Sequence, residues 1–295
     1  MTRLADEARD RSEVVRQLLA RMNPCRLCPR KCRVYRSNGQ IGFCGTEEMA
    51  VVSSVGPHFG EESVLVGRGG SGTIFFAGCN LGCVFCQNFD ISHHRSGRQT
   101  TVEELAEMML ELQDYGCSNI NFVTPSHVIA AIAAALEVAR EKGLRLATVY
   151  NTGGYDSVET LKLLEGLIDI YMPDMKYAAA EVAKELSSAE DYPQVSREAV
   201  REMHRQVGEL RVEDGLAARG LLVRHLVLPN GVAGSFEIID FLAAEISINT
   251  AINVMDQYRP CYKAGAHSAI NRRPTREEIR SVYEYAVKKG LNVIC

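Results

Sequence analysis

The chain has no excess of one charge, and this limits its partners. Lysine plus arginine number 33 against 37 aspartate plus glutamate, a net charge of −4. That balance offers no general footprint for nucleic acid or for an anionic membrane. It also lacks a long apolar run. The longest helix-like stretch, residues 128–139, falls well short of the roughly 20 residues needed to cross a bilayer. The opening MTRLADEARDRSEVVRQLLARM is charged and amphipathic without an apolar signal core, so a cytoplasmic protein is expected, not a secreted one.

What is present is ordinary in bulk and unusual in one residue type. With 295 residues, 46% hydrophobic and 24% charged, the chain can bury a barrel-sized core with an appendage. Its ten cysteines are unlike a disulfide framework, because a reducing compartment keeps thiols free and clustered thiols there bind metal or do chemistry. Seven lie between Cys25 and Cys86 in two tight groups, while Cys117, Cys261 and Cys295 stand alone.

A helix is expected over residues 3–21, with Leu4, Ala8, Val15, Leu18 and Leu19 near one face and a stop at Asn23-Pro24. Four cysteines and short apolar runs such as residues 49–55 follow, so residues 1–70 read as a helix and a small metal-organised module. From Thr73 onward strand-type runs alternate with helical segments, at 73–77, 119–123, 146–150, 168–172, 221–228 and 248–255. Gly116, Gly143 and Gly166 stand where helices should end. Thr101 with Glu104, and Thr275 with Glu278, have capping-box spacing. Behind them Leu105, Met108, Met109 and Leu112, then Ile279, Val282, Tyr283 and Ala286, form core stripes. Six βα units over residues 71–295 predict an α/β fold, either a partial barrel or an open parallel sheet, with its chemistry at the C-terminal ends of the strands. Gly67 to Gly72 is glycine-rich but precedes a strand and opens no helix, so it is not a phosphate loop.

Directly after the first run comes Cys79-Asn-Leu-Gly-Cys83-Val-Phe-Cys86. A [4Fe-4S] cluster normally takes four thiolates, so three leave one iron open to a substrate or cofactor. The competing assignment is zinc with a fourth ligand such as His93 or His94. The segment FFAGCNLGCVFCQN resembles the signature of the radical S-adenosylmethionine superfamily, in its branch of pyruvate formate-lyase activating enzymes. With its N-terminal module the chain is similar to uncharacterised relatives of the PflX type.

The resemblance implies a partial (β/α)6 TIM-like barrel with a [4Fe-4S] cluster on Cys79, Cys83 and Cys86. It implies S-adenosylmethionine cleaved to a 5′-deoxyadenosyl radical, an electron donor such as flavodoxin or ferredoxin, and a glycyl radical enzyme as partner. By the same resemblance Phe85 lies near the adenine, and Asn151, Thr152, Met172 and Asp174 match ligands of a monovalent cation. Lys176 matches the contact to the cofactor carboxylate, and Arg224 points toward the cofactor. Asn151 departs from the pattern, since an amide lacks the charge of the usual aspartate. A second departure is Val123-Thr124-Pro125-Ser126-His127, which stands where the family has Gly-Gly-Glu; Thr124, Ser126 or backbone carbonyls are the candidates to replace that contact, and His127 is a substrate contact or a helix start. Gln257 and Tyr258 are candidate substrate-side residues.

Cys25, Cys28, Cys32 and Cys44 supply a closed set of four thiolates, suited to zinc or to an auxiliary iron-sulfur cluster. Three functions stay open at this point: glycyl radical activation of a protein, hydrogen abstraction from a small molecule or another side chain, and a non-catalytic metal module.

Overall fold

The computed structural model describes Leu4 and residues 11–294. Among them ten strands form one sheet: β1 (Ala50–His58), β2 (Ser71–Phe76), β3 (Arg98–Thr100), β4 (Asn119–Val123), β5 (Ala147–Thr152), β6 (Ile170–Pro173), β7 (Arg211–Glu213), β8 (Leu216–Leu226), β9 (Ala251–Met255) and β10 (Asn292–Val293). The order is β10-β9-β8-β6-β5-β4-β2-β1-β3, with β7 on β8. From β2 through β4, β5, β6 and β8 to β9 every pairing is parallel, which makes the expected six-stranded partial barrel. Strands such as β6 are buried along their whole length, because helices cover one side and the barrel interior fills the other.

The helices begin where local chemistry starts them. At the helix Val102–Tyr115 the Thr101 hydroxyl accepts from the Glu104 N–H at 3.1 Å, and the Glu104 carboxylate accepts from the Thr101 N–H at 2.9 Å. The same reciprocal box opens Arg276–Lys288 at Thr275 and Glu278. Gly116 ends the first of these helices in the left-handed conformation, which a side chain would strain. Leu105, Met109 and Leu112 enter the main core, as do Val282 and Ala286, but Tyr283 is a correction: it is 44% exposed. The helix Ile129–Glu141 is buried nearly all round, because it is packed between the sheet and the N-terminal helix.

That N-terminal helix spans Glu13–Ala20 and buries Val15 and Leu18. Its expected earlier part with Ala8, Leu4 excepted, lies outside the described residues, as does Cys295. Residues 49–55, expected to be a short run inside a separate module, instead belong to β1, which pairs antiparallel with β2 and covers its otherwise open edge. The sheet and the main core therefore continue across residue 70. The glycine run before β2 is a packing device: a Cβ on Gly69 would stand 1.8 Å from the Gly116 carbonyl oxygen.

Candidate active site

Every parallel strand delivers a polar or thiol side chain to one cavity of about 270 Å³ at the sheet's C-terminal end. Cys79, Cys83 and Cys86 follow β2, Thr124 follows β4, and Asn151 and Thr152 end β5. Asp174 and Lys176 follow β6, Arg224 lies on β8, and Gln257 follows β9. Strand register makes this convergence, since Val123 faces Asn151, Asn151 faces Met172, and Asp174 bridges to Arg224.

The three sulfurs are held individually. The Leu81 N–H donates to Cys79 Sγ at 3.3 Å, the Ser187 hydroxyl donates to Cys83 Sγ at 3.0 Å, and Ser92 Oγ lies 3.1 Å from Cys86 Sγ. Burial pushes the Cys79 thiol up to about 12, with Cys83 adding to the effect, and burial raises Cys86 as well. Thiols in such a place ionise only against a metal's positive charge, so the donor set fits an iron-sulfur cluster. The zinc alternative lacks its fourth ligand. His93 Nε2 donates to the Cys83 carbonyl at 3.1 Å, and His94 pairs with Asp90.

Opposite the cysteines lies a buried charged cluster. Lys176 Nζ is 2.5 Å from Asp174 Oδ2, and Arg224 Nε donates to Asp174 Oδ1 at 2.9 Å. Burial alone would raise the Asp174 carboxyl, but Arg224 and Lys176 outweigh it and hold it below the usual range. Burial likewise works against the Lys176 ammonium, yet the Asp174 carboxylate outweighs it and raises the group, as Cys83 does in its thiolate form. The second glycine after Thr152 is needed at this crossing: Gly154 has a φ of +76°, and a Cβ there would stand 2.1 Å from the Asp174 carbonyl oxygen.

The expected cation ligands are not arranged for a cation. Asn151 Oδ1 accepts from Arg224 Nη2 at 2.7 Å. The Thr152 hydroxyl donates to Asp156 at 2.6 Å, and Met172 packs in an apolar cluster with Val149 and Leu222. Asp156, which no motif marked, also accepts from Tyr150 at 2.8 Å, so it fixes the end of β5 from behind.

Other candidates sort by whether they reach the cavity. Phe85 lines it, edge-on to Tyr177 and Tyr258. Thr124 lines it too, with φ of +61°, a left-handed backbone that a β-branched residue adopts only under strain. Ser126 is turned instead toward Thr152, 3.1 Å away. His127 is buried with Nε2 donating to the Ala77 carbonyl at 2.9 Å, which corrects a substrate-contact role. Tyr258 is also corrected: it is buried, and its hydroxyl donates to the Ile270 carbonyl at 2.7 Å.

Two features escaped the sequence. A second cavity shares Arg224, Met255 and Gln257 with the first and carries buried Glu62 and half-buried Glu61, whose side chain is largely shielded; that shielding raises the Glu61 carboxyl to about 7 against the opposing charge of Arg224. In the four-cysteine module Cys25, Cys28, Cys32 and Cys44 line one closed space together with His127, whose Nδ1 is buried without a partner. Burial pushes the Cys28 thiol up to about 12, reinforced by the other three. Between Cys28 and Cys32, Arg30 donates to the backbone carbonyls of Asn80, Leu81, Ser187 and Ser188. An arginine inside a metal-type loop was the only advance signal of this clamp.

The pattern of the Radical SAM superfamily matches residues 73–212. The chain is 35% identical over 280 residues to "Uncharacterized protein MJ0674" of Methanocaldococcus jannaschii, covering 92% of this chain and 76% of that protein. It is 26% identical over 267 residues to "Uncharacterized protein MJ0808" of the same organism, covering 81% and 71%. Among solved structures it is similar to a radical SAM methyltransferase from Sphaerobacter thermophilus, with a TM-score of 0.52 and 16% identity over 75% of this chain. That likeness concerns the fold, and the chain spans 65% of that structure's length.

Proposed function

The chain belongs to the radical S-adenosylmethionine superfamily, and from that premise we propose that it activates a protein partner by abstracting a hydrogen atom to leave a glycyl radical. A [4Fe-4S] cluster held by this chain would supply the single electron for reductive cleavage of S-adenosylmethionine at its C5′–S bond, the chemistry of this superfamily, with methionine as one product and, as the other, a 5′-deoxyadenosyl radical able to take hydrogen from the substrate. In this reading Cys79, Cys83 and Cys86 hold the cluster, Lys176 binds the cofactor carboxylate, and Phe85 bounds the adenine side. Asp174, tied to both Lys176 and Arg224, keeps those cations aimed into the cavity. A flavodoxin- or ferredoxin-type protein supplies the electron.

The observation that carries the reading is the meeting of the three cysteines with Asp174 and Lys176 in one cavity, on the segments that resemble those of the activating enzymes. Anaerobic reconstitution with reductant, S-adenosylmethionine and a candidate partner should give a glycyl electron paramagnetic signal. Cofactor cleavage with no such signal on any candidate would count against it.

A second reading, hydrogen abstraction from a small molecule, is favoured by the adjoining cavity with Glu61 and Glu62. Deuterium passing from a labelled metabolite into 5′-deoxyadenosine would distinguish it. We assign Cys25, Cys28, Cys32 and Cys44 to a second metal centre, supported by their shared closed space and by the unpartnered His127 Nδ1 beside them. Iron, sulfide and zinc content after reconstitution tells a cluster from a zinc ion.

A further inference from the structure

We propose that the Arg224 guanidinium takes the place of a monovalent cation, so that this protein binds S-adenosylmethionine without a metal cation. The inference rests on the proposed function for the location of the cofactor. Of the four residues that match cation ligands, two have their side chains already bound to Arg224: Nε donates to Asp174 Oδ1 at 2.9 Å and Nη2 to Asn151 Oδ1 at 2.7 Å. The other two are turned elsewhere. Thr152 gives its hydroxyl proton to Asp156, receives the Gly154 N–H at 3.3 Å and has its carbonyl taken by the Asp174 N–H at 2.9 Å, while Met172 offers only a thioether, buried among apolar neighbours and no ligand for a hard cation.

Charge leads to the same result. Asp174 is the one carboxylate in direct hydrogen-bond contact with both Arg224 and Lys176, so on the cavity side that trio carries a net positive charge, with Glu61 3.7 Å from Arg224 Nη1 as the counter-charge behind it. A further cation there would face two fixed cations across one anion, at short range and out of water. The trio's surplus instead suits the cofactor's carboxylate. Asn151 then has a physical reason. An amide oxygen accepts the guanidinium N–H without adding a charge, whereas an aspartate would cancel the surplus that attracts the carboxylate. Arg224 is also anchored, since it projects from β8 and its Nη1 lies 3.7 Å from Glu61 on the far side. Unlike a bound ion, it is present at full occupancy in every buffer.

The test uses the reconstituted holoenzyme in buffers whose only monovalent cation is tetramethylammonium, with potassium or sodium then added. The readouts are the S-adenosylmethionine Kd by equilibrium dialysis and the change in the reduced cluster's paramagnetic spectrum when the cofactor binds. For the wild type both should move by less than about twofold on adding either ion. Arg224→Ala should bind about 10- to 100-fold more weakly in tetramethylammonium, the loss of charge-assisted contacts, and should regain affinity saturably with potassium or sodium. Arg224→Lys should lie between the two.

A wild-type Kd that tightens more than about fivefold with potassium or sodium overturns the proposal, as does an Arg224→Ala protein with full affinity in tetramethylammonium. The wild-type titration and Arg224→Lys decide the matter if the alanine variant does not fold. Absence of cofactor binding in every buffer sinks the proposed function itself, and this inference with it.

Discussion

The molecule carries two cysteine groups that differ in what faces them. Cys79, Cys83 and Cys86 lie at the end of a barrel strand and look across a cavity toward Asp174, Lys176 and Arg224. Cys25, Cys28, Cys32 and Cys44 surround a closed space whose remaining walls are mainly Leu27, Val34 and Phe43, with Arg30, Arg36 and His127. Three thiols with charged company fit a centre that must admit a cofactor, and four thiols in an apolar enclosure fit one that must keep everything out. The comparison assigns reactivity to the first and shape to the second, and each half can be tested.

The largest effect is expected from Cys83→Ala, which should lower cofactor cleavage by at least about 10³-fold, roughly 4 kcal/mol of barrier. Cys28→Ala should destabilise the fold while leaving the first site's iron in place. Retained cleavage in Cys83→Ala, or loss of the first site's iron in Cys28→Ala, would erase the distinction. Iron content and 5′-deoxyadenosine release measure the two.

Arg30 is the physical tie between the groups, and Arg30→Ala removes its hydrogen bonds to four carbonyls. Leaving those acceptors short should cost about 2–3 kcal/mol of stability. It should also hasten iron loss from the three-cysteine loop, seen as bleaching under a chelator. Unchanged bleaching would make the groups independent.

A pH effect should be smaller and belong to the barrel. His225 is wholly buried, with Nδ1 donating to the Met175 carbonyl at 2.7 Å and Nε2 accepting from the Ser235 hydroxyl at 2.8 Å, and burial lowers its affinity for a second proton. The unfolded chain protonates near 6.5, the folded one only lower. The associated stability is therefore complete above that value and declines as pH falls beneath it, by at most about 1.4 kcal/mol per pH unit. Denaturation midpoints across pH should show this slope, and His225→Gln should flatten it. Smallest of all, Thr101→Ala should cost about 1 kcal/mol through its lost cap, with no change in iron at either group. A cap lesion that altered iron content would mean that both groups respond to general loosening.

The sequence made one side of this comparison far more legible than the other. The six parallel strands and both capping boxes could be read because each depends on neighbours a few residues away, through alternation, helical spacing or a fixed cap interval. The three-cysteine loop could be read because its ligands lie within eight residues of one another. β1 could not, since its partner edge is created only when β2 joins the barrel. The same holds for Arg224 and Asn151, 73 residues apart, and for Glu61 and Glu62, whose chemistry comes from a barrel mouth assembled late in the chain. Tyr258 was misread because a polar aromatic after a strand carries no local sign of whether its hydroxyl will find a carbonyl inside.

Every hydrogen bond of Arg30 goes to a main-chain oxygen, while its guanidinium lies on the Phe43 ring, 3.8 Å from the centroid. It follows the path of the loop more than its letters: the bonds to the carbonyls of Asn80, Leu81, Ser187 and Ser188 need no particular side chain there, and Asn80 and Ser187 are fixed by their own bonds to the Tyr155 carbonyl and to Cys83 Sγ. Among relatives of this chain, then, the arginine should persist together with an aromatic ring at position 43 for its guanidinium to lie on, and the link between the two cysteine groups should be inherited mainly in backbone geometry.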